Sequence, residues 1–223
     1  MNQPNENIGS KRVEKIREVK IESLSIFYEK KEVLNSYNYS FHCGRIYGIV
    51  GKNGSGKTTV LNAMINIFSG KHMGEIFYNG ISLNDLDMPQ IRRQKVSYVE
   101  QHPTMFNISV QNYLHFGVDD SELVGYNQSI LLKMFELEYL LDKEINENGS
   151  NLSGGEKQKL SIVRSLSKDS SLILLDEPTS ALDQKSITTL IEYLELRKQQ
   201  AIIVIVSHDS RILSSCDELV EMR

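Results

Sequence analysis

The run Gly51-Lys-Asn-Gly-Ser-Gly-Lys-Thr-Thr59 sets Gly51, Gly56, Lys57 and Thr58 at the spacing of a loop built to hold a polyphosphate. Glycines let successive backbone N–H groups turn inward onto the anion. Lys57 has the reach for the β and γ oxygens, and the Thr58 hydroxyl suits Mg²⁺. Asn53, Gly54, Ser55, Gly56, Lys57, Thr58 and Thr59 are therefore the expected contacts to a triphosphate. The competing reading is a chance glycine-rich turn, and the flanks argue against it. Arg45-Ile-Tyr-Gly-Ile-Val50 reads as a buried strand entering the loop, and residues 58–68 as a helix leaving it with its N-terminus on the anion.

A second source of chemistry is Leu172-Ile-Leu-Leu-Asp176-Glu177-Pro178, a buried strand ending in two adjacent carboxylates. Open α/β sheets bind ligands at the carboxyl ends of their strands. Asp176 suits contact to the Mg²⁺ held by Thr58, and Glu177 suits orienting or deprotonating an attacking water. A lone Asp-Glu pair ordinarily makes a turn or solvates a surface; here the apolar strand leaves it one natural place, beside the phosphate loop. A third segment, Asn151-Leu-Ser-Gly-Gly-Glu-Lys-Gln158, has a serine and two glycines where a second anion cradle would be built. Taken alone it reads as readily as a helix cap, with Ser153 at the N-cap and Glu156 closing a capping box.

The elements that must position these residues follow from periodicity. Residues 19–28 and 33–43 alternate apolar and polar side chains across a charged connection at 29–32, as antiparallel strands with one wet face should. Gly74-Glu-Ile-Phe-Tyr-Asn-Gly80 is a short strand closing on an Asn-Gly turn, and residues 95–99 form another. Between 109 and 141 the period becomes helical, with an expected apolar stripe of Ile130, Leu131, Met134, Phe135 and Leu137. Beyond it helix and strand alternate: 156–166, 172–175, 185–197 and 201–206. Near-continuous aliphatic strands separated by helices imply a parallel sheet buried on both faces. Order is expected to begin near Val19.

At 223 residues, with 40% hydrophobic and 24% charged, the chain has the make-up of a globular α/β domain. Its longest aliphatic run, Ala201-Ile-Ile-Val-Ile-Val206, is far short of the roughly 20 residues a membrane-spanning helix needs. The polar start lacks a signal-peptide pattern. A net charge of −4 argues against a nucleic-acid surface, and the sign-alternating run at 11–20 reads as a solvated lead-in. The two cysteines, Cys43 and Cys216, have no metal-like spacing and are expected as buried, reduced thiols.

In this order along the chain, the phosphate loop, Leu152-Ser-Gly-Gly-Glu156 and Asp176-Glu177 resemble the ATP-binding cassette (ABC) ATPases, from about Val19 to Val220. The resemblance implies an α/β fold: a P-loop NTPase core with a mostly parallel sheet, an N-terminal antiparallel β subdomain and an α-helical insertion. Residues 1–17 would be a linker or tail and 18–223 the nucleotide-binding domain, with a helical subdomain at about 105–168. Gln101 looks like the glutamine that senses Mg²⁺ and the attacking water and contacts the transport machinery. His208 looks like the histidine that hydrogen-bonds the γ-phosphate, although by itself it reads as a surface residue. Ser180-Ala-Leu-Asp183 resembles the loop crossing between two ATP sites, placing Ser180 and Asp183 near nucleotide. Tyr28 sits where an aromatic ring stacks on adenine, worth roughly 0.5–1.5 kcal/mol, and equally where an edge strand packs. The resemblance makes the site composite, with Ser153, Gly154 and Gly155 of a second cassette closing on ATP and Mg²⁺ in a head-to-tail homodimer.

Glu147-Asn-Gly149 and the stretch from Ile91 through Gln101 to Asn112 resemble exporter-type cassettes. That subtype implies a transmembrane domain on the same polypeptide, a linker at Asn2–Glu6, a cytoplasmic membrane face and, as one subclass, peptide or bacteriocin export. There are departures. Gln158 is followed by Lys159 and Leu160 where the family usually carries an arginine, and the ending at Glu221-Met-Arg223 reads as truncated. The alternatives are a stand-alone importer ATPase and a non-transport cassette; the latter usually has long coiled coils or two cassettes. A small-molecule kinase would leave Leu152–Glu156 unexplained.

Overall fold

The computed structural model describes residues 9–28, 31–68, 70–117 and 124–222. Two long strands, β1 (Glu18–Tyr28) and β2 (Lys31–His42), pair antiparallel. They are followed by β3 (Ile46–Gly51), α1 (Lys57–Met64), β4 (Lys71–Tyr78) and β5 (Ile81–Ser82). Next come α2 (Met88–Lys95), β6 (Val96–Val99), α3 (Val110–His115) and α4 (Val124–Met134). The chain then runs through α5 (Gly154–Leu166), β7 (Leu172–Asp176), α6 (Gln184–Arg197), β8 (Ile202–Val206), α7 (Ser210–Leu213) and β9 (Glu218–Met222). Two sheets result: an antiparallel one ordered β2-β1-β4-β5 and a parallel one ordered β6-β7-β8-β3-β9.

Alternation along the central strands explains the layers. Leu172 and Leu174 of β7, with Ile202, Val204 and Val206 of β8, enter a core shared with α1 and the antiparallel sheet. Their neighbours Ile173, Leu175, Ile203 and Ile205 enter a second core with α5, α6 and the helical segment. Both faces are dry, so the strands read as continuous aliphatic runs. Among the described residues no helix is long and apolar enough to cross a membrane.

Several expectations change. Order begins before Val19: the segment from Gly9 is pinned by Lys11 N–H to the Asp85 carbonyl (3.0 Å), and Ile16 is fully buried with its N–H on Ser171 Oγ (2.9 Å). Its alternating charges hid that one anchor. Residues 2–6 and Arg223 lie outside the described residues, as do residues 29–30 of the connection expected at 29–32, whose last two residues already belong to β2. The helix expected to reach residue 68 stops at Met64, because Asn66 turns left-handed at φ +55°. Ile130 is exposed, and the buried face of α4 is Leu131 and Leu132 with Phe135 just beyond its end. α2, β9 and α7 had no strong periodic signal: only Met88 and Ile91 of α2 are buried, and β9 exposes Leu219 between half-buried Glu218 and buried Val220. Both cysteines are free but only half-buried.

Asn79 joins the lead-in to the antiparallel sheet. Its Oδ1 accepts from the N–H groups of Arg17 (2.9 Å) and Glu18 (3.1 Å), its Nδ2 donates to the Lys15 carbonyl (2.8 Å), and its φ is +51°. Alanine would lose all three bonds and tolerate the left-handed backbone less well. Asn79→Ala should cost about 1–2 kcal/mol and lower the thermal midpoint by ~3–6 °C, measured by circular dichroism.

Candidate functional site

Because every strand pair in the five-stranded sheet is parallel, the loops after β3, β6, β7 and β8 all emerge at one edge. That edge forms a cleft of about 680 Å³. Tyr28, Asn53, Gly54, Gly56, Lys57, Thr58, Thr59, Gln101, Asp176, Glu177 and His208 line it, all of them site candidates from sequence. Lys31, Val33 and Val206 line it too and were missed. Lys31 pairs in register with Tyr28 at the start of β2, a placement that only the fold reveals.

The loop is locally specified. Gly56 is the N-cap of α1 at φ +90°, and a Cβ there would meet Leu34 Cδ2 at 2.8 Å and the Val33 carbonyl at 3.0 Å. Only glycine allows that conformation and approach together. Gly54, at φ +79°, faces open space. Lys57 is buried, and its ammonium donates to the carbonyls of Gly51 (2.9 Å) and Lys52 (3.1 Å). Ser55 Oγ is buried without a partner among the described residues. Ser55, though expected as a contact, does not line the cleft; a buried cation satisfied only by loop carbonyls fits an incoming polyphosphate.

Thr58 Oγ1 donates to Asp176 Oδ2 at 2.8 Å, tying α1 to the end of β7. These are hard oxygen donors beside a phosphate loop, the set that Mg²⁺ takes together with phosphate and water. Gln101 faces the same cleft. Burial pushes the Asp176 carboxyl above its ordinary range, opposed by the Thr58 hydrogen bond and the Lys57 charge. Glu177 has φ +45°, which costs a non-glycine residue energy. It is held there by its N–H on the Val206 carbonyl (2.8 Å) and by Ser180 N–H on its own carbonyl (3.3 Å). Its carboxylate accepts from the His208 backbone N–H (3.3 Å), and His208 Nε2 lies 3.6 Å from Oε1. A carboxylate and an imidazole thus share one rim. Tyr28 both faces the cleft and packs on the first core, so its two readings coexist.

The remaining candidates gather elsewhere. Ser153, Gly154, Gly155, Ser180 and Asp183 do not line the cleft. A Cβ on Gly155 would meet the Ala181 carbonyl at 3.1 Å, one on Gly154 would meet Ala181 Cβ at 3.8 Å, and Lys159 Nζ bonds Asp183 at 3.1 Å. The start of α5 and the loop before α6 therefore form a second group. Asp183 caps α6, accepting from Ser186 N–H (2.8 Å), which with Lys159 holds its carboxyl at about 2. Ser153 caps α5 in a full capping box with Glu156. The cap reading from sequence is thus correct in structure, and it leaves the residues on an exposed surface.

A family model described as ABC transporter matches residues 34–180. An ATP-dependent lipid A-core flippase of Haemophilus influenzae is 29% identical over 98% of this chain, and one of Francisella novicida is 32% identical over 96%. The chain spans 38% and 37% of their respective lengths. A bacterial Atm1-family ABC exporter solved with ATP bound superposes with a TM-score of 0.84 at 22% identity, covering 99% of this chain and 39% of that one. That likeness establishes the fold.

Raising a carboxyl's pKa on folding means that the ionised form opposes folding: the penalty is full above the raised value and disappears as pH falls below the ordinary one. Asp176→Asn should therefore raise the midpoint of the ligand-free chain at neutral pH, the gain shrinking as pH falls towards the ordinary carboxylate range. The same variant should lose the extra stabilisation that Mg²⁺ adds to ATP, measured by differential scanning fluorimetry.

Proposed function

Since this chain belongs to the ABC transporter family, we propose that it binds and hydrolyses ATP to power export by a transmembrane domain, working as a head-to-tail dimer of cassettes. The observation that carries the reading is the division of its site residues into two separate groups, each incomplete alone. One chain supplies the cleft at the carboxyl edge of its sheet; a second supplies Ser153, Gly154 and Gly155 at the start of its α5. Each ATP would then contact both partners, so nucleotide binding drives association by mass action.

In the cleft the loop N–H groups and the Lys57 ammonium hold the phosphates, with the ammonium exchanging the Gly51 and Lys52 carbonyls for phosphate oxygens. Thr58, Asp176 and Gln101 would hold Mg²⁺, which when bound neutralises phosphate charge. Glu177 Oε1 or Oε2 orients the attacking water and accepts its proton, while His208 bonds the γ-phosphate from the same rim. The left-handed backbone of Glu177 aims its carboxylate into the cleft, and the Val206 hydrogen bond holds it there. The Tyr28 ring supports adenine, and Ser180 and Asp183 pass between the two sites.

A groove of about 380 Å³ lies beside Glu100, next to Gln101, and includes exposed Ile67 and Phe116 with Tyr98, Arg164 and Phe106. A cytosolic helix of the transmembrane partner docking there would sense nucleotide through Gln101. The Glu147–Gly149 turn packs near Met105, between the groove residues Thr104 and Phe106: a Cβ on Gly149 would meet Met105 at 2.9 Å, and Lys157 Nζ donates to the Asn148 carbonyl (3.1 Å). The partner would be encoded on the same polypeptide, given the fraction of each relative that this chain spans. The cassette would then work at the cytoplasmic face. Cargo belongs to that partner, and the flippase names of the relatives make lipids as worth testing as peptides.

Glu177→Gln should keep ATP binding, slow hydrolysis by roughly 10²–10⁴-fold and accumulate a Mg-ATP-dependent dimer on size exclusion. A variant that stays monomeric at saturating Mg-ATP would count against the composite site. Lys57→Ala should lose ATP binding itself in equilibrium dialysis, with the fold intact by circular dichroism.

A further inference from the structure

We propose that Glu156 is a positioning residue that withholds the Ser153 hydroxyl proton, so that its carboxylate sets how much ATP is needed to close two cassettes together. The proposal rests on the composite-site reading above.

Ser153 Oγ donates to Glu156 Oε2 at 2.7 Å, and Ser153 N–H donates to the same oxygen at 2.7 Å. In return Glu156 N–H donates to Ser153 Oγ at 3.2 Å. A serine hydroxyl has one proton and two acceptor sites. Capping α5 uses an acceptor site, which the helix needs at all times. The proton is separate, and here the carboxylate holds it. A hydroxyl that reaches across a dimer interface to a γ-phosphate must donate, and it has only that proton to give. Glu156 and the nucleotide therefore compete for it, and the helix cap survives either outcome.

Two further contacts set the strength of the hold. Tyr139, exposed on the helical segment, donates its hydroxyl to Glu156 Oε1 at 2.7 Å, and Lys143 Nζ lies 5.1 Å from the centre of the Tyr139 ring. A cap has no use for the Tyr139 bond. It draws carboxylate charge away from Ser153. The Ser153 hydroxyl first, then Tyr139, hold the Glu156 carboxyl below its ordinary range, so it is ionised at neutral pH. Hydrogen bonds to an ionised acceptor are roughly twice as strong as neutral ones. A glutamine at 156 would still accept from Ser153 N–H through its amide oxygen and would present a donor to Tyr139. It would hold the serine proton as a neutral acceptor, and it would remove a negative charge from beside an arriving anion.

The test uses the whole chain carrying Glu177→Gln, with dimer formation followed by sedimentation velocity across a Mg-ATP titration. Glu156→Gln should lower the half-saturating ATP concentration by roughly three- to tenfold. Tyr139→Phe, which leaves the carboxylate to Ser153, should raise it about two- to threefold. Glu156→Ala, which loses the cap as well, serves as the contrast. Were Glu156 purely structural, both of its variants would need more ATP than the parent. An unchanged or raised value for Glu156→Gln, or an unchanged value for Tyr139→Phe, overturns the proposal alone. Absence of an ATP-dependent dimer in the parent and every variant overturns the composite-site reading and the proposal with it.

Discussion

Parallel pairing of β6, β7, β8 and β3 is the constraint on which the rest of the molecule depends. Four loops that are far apart in sequence leave the sheet at one edge only because these strands run in one direction and in one register, Asp176 opposite Val206 and Val99 opposite Leu175. A slip of one residue in β7 would exchange Leu172 and Leu174 for Ile173 and Leu175 between two filled cores. It would also move Asp176 away from Thr58. Burial on both faces is thus what fixes the height at which the carboxylates end, and the 2.8 Å Thr58–Asp176 bond reports that the register is right.

The cleft is held in an arrangement that folding alone would not favour. Asp176 is almost wholly buried and its charge is disfavoured there; Glu177 sits in a left-handed backbone; the Lys57 ammonium is buried against carbonyls; Ser55 Oγ has no partner among the described residues. The burial of the Asp176 charge and the left-handed backbone of Glu177 oppose stability in the ligand-free chain. The aliphatic strands behind them supply the compensation. Strain therefore sits where the ligand arrives, and the core that tolerates it sits one residue earlier in each strand.

Much of this was legible in the residues. The glycine spacing of the loop, the aliphatic run into Asp176-Glu177 and the cap pattern at Ser153 each encode local geometry, and local geometry is what short-range sequence carries. Less legible were elements whose stability is borrowed. α2 shows two buried side chains in a polar segment, β9 gains its place by pairing with β3, and the lead-in before Val19 is held by Asn79 and Ser171, far off in sequence. Lys31 and Val33 reach the cleft for the same reason, because β2 passes close to Gly56 at the phosphate loop, a long-range approach. Ile130 shares a helical phase with Met134 and Leu137, but α4 ends at Met134 and turns Leu131 and Leu132 inward, leaving Ile130 exposed.

The two groups of site residues are separated for a structural reason. Ser153 leads α5, whose apolar side packs Leu160 and Ile162 into the second core with α6, while the phosphate loop leads α1 on the opposite face of the sheet. The sheet stands between the two helix starts, and bringing Ser153 to Lys57 within one chain would break that core. Two chains related head to tail need no such change. On the proposed reading, nucleotide is then the shared ligand that two preformed surfaces require, and its γ-phosphate is the group whose loss separates them. The Lys159–Asp183 pair and the close approach of Gly155 to Ala181 join the start of α5 to the loop from 180 to 183, so on the proposed reading a second cassette would offer the serine donor and that loop together.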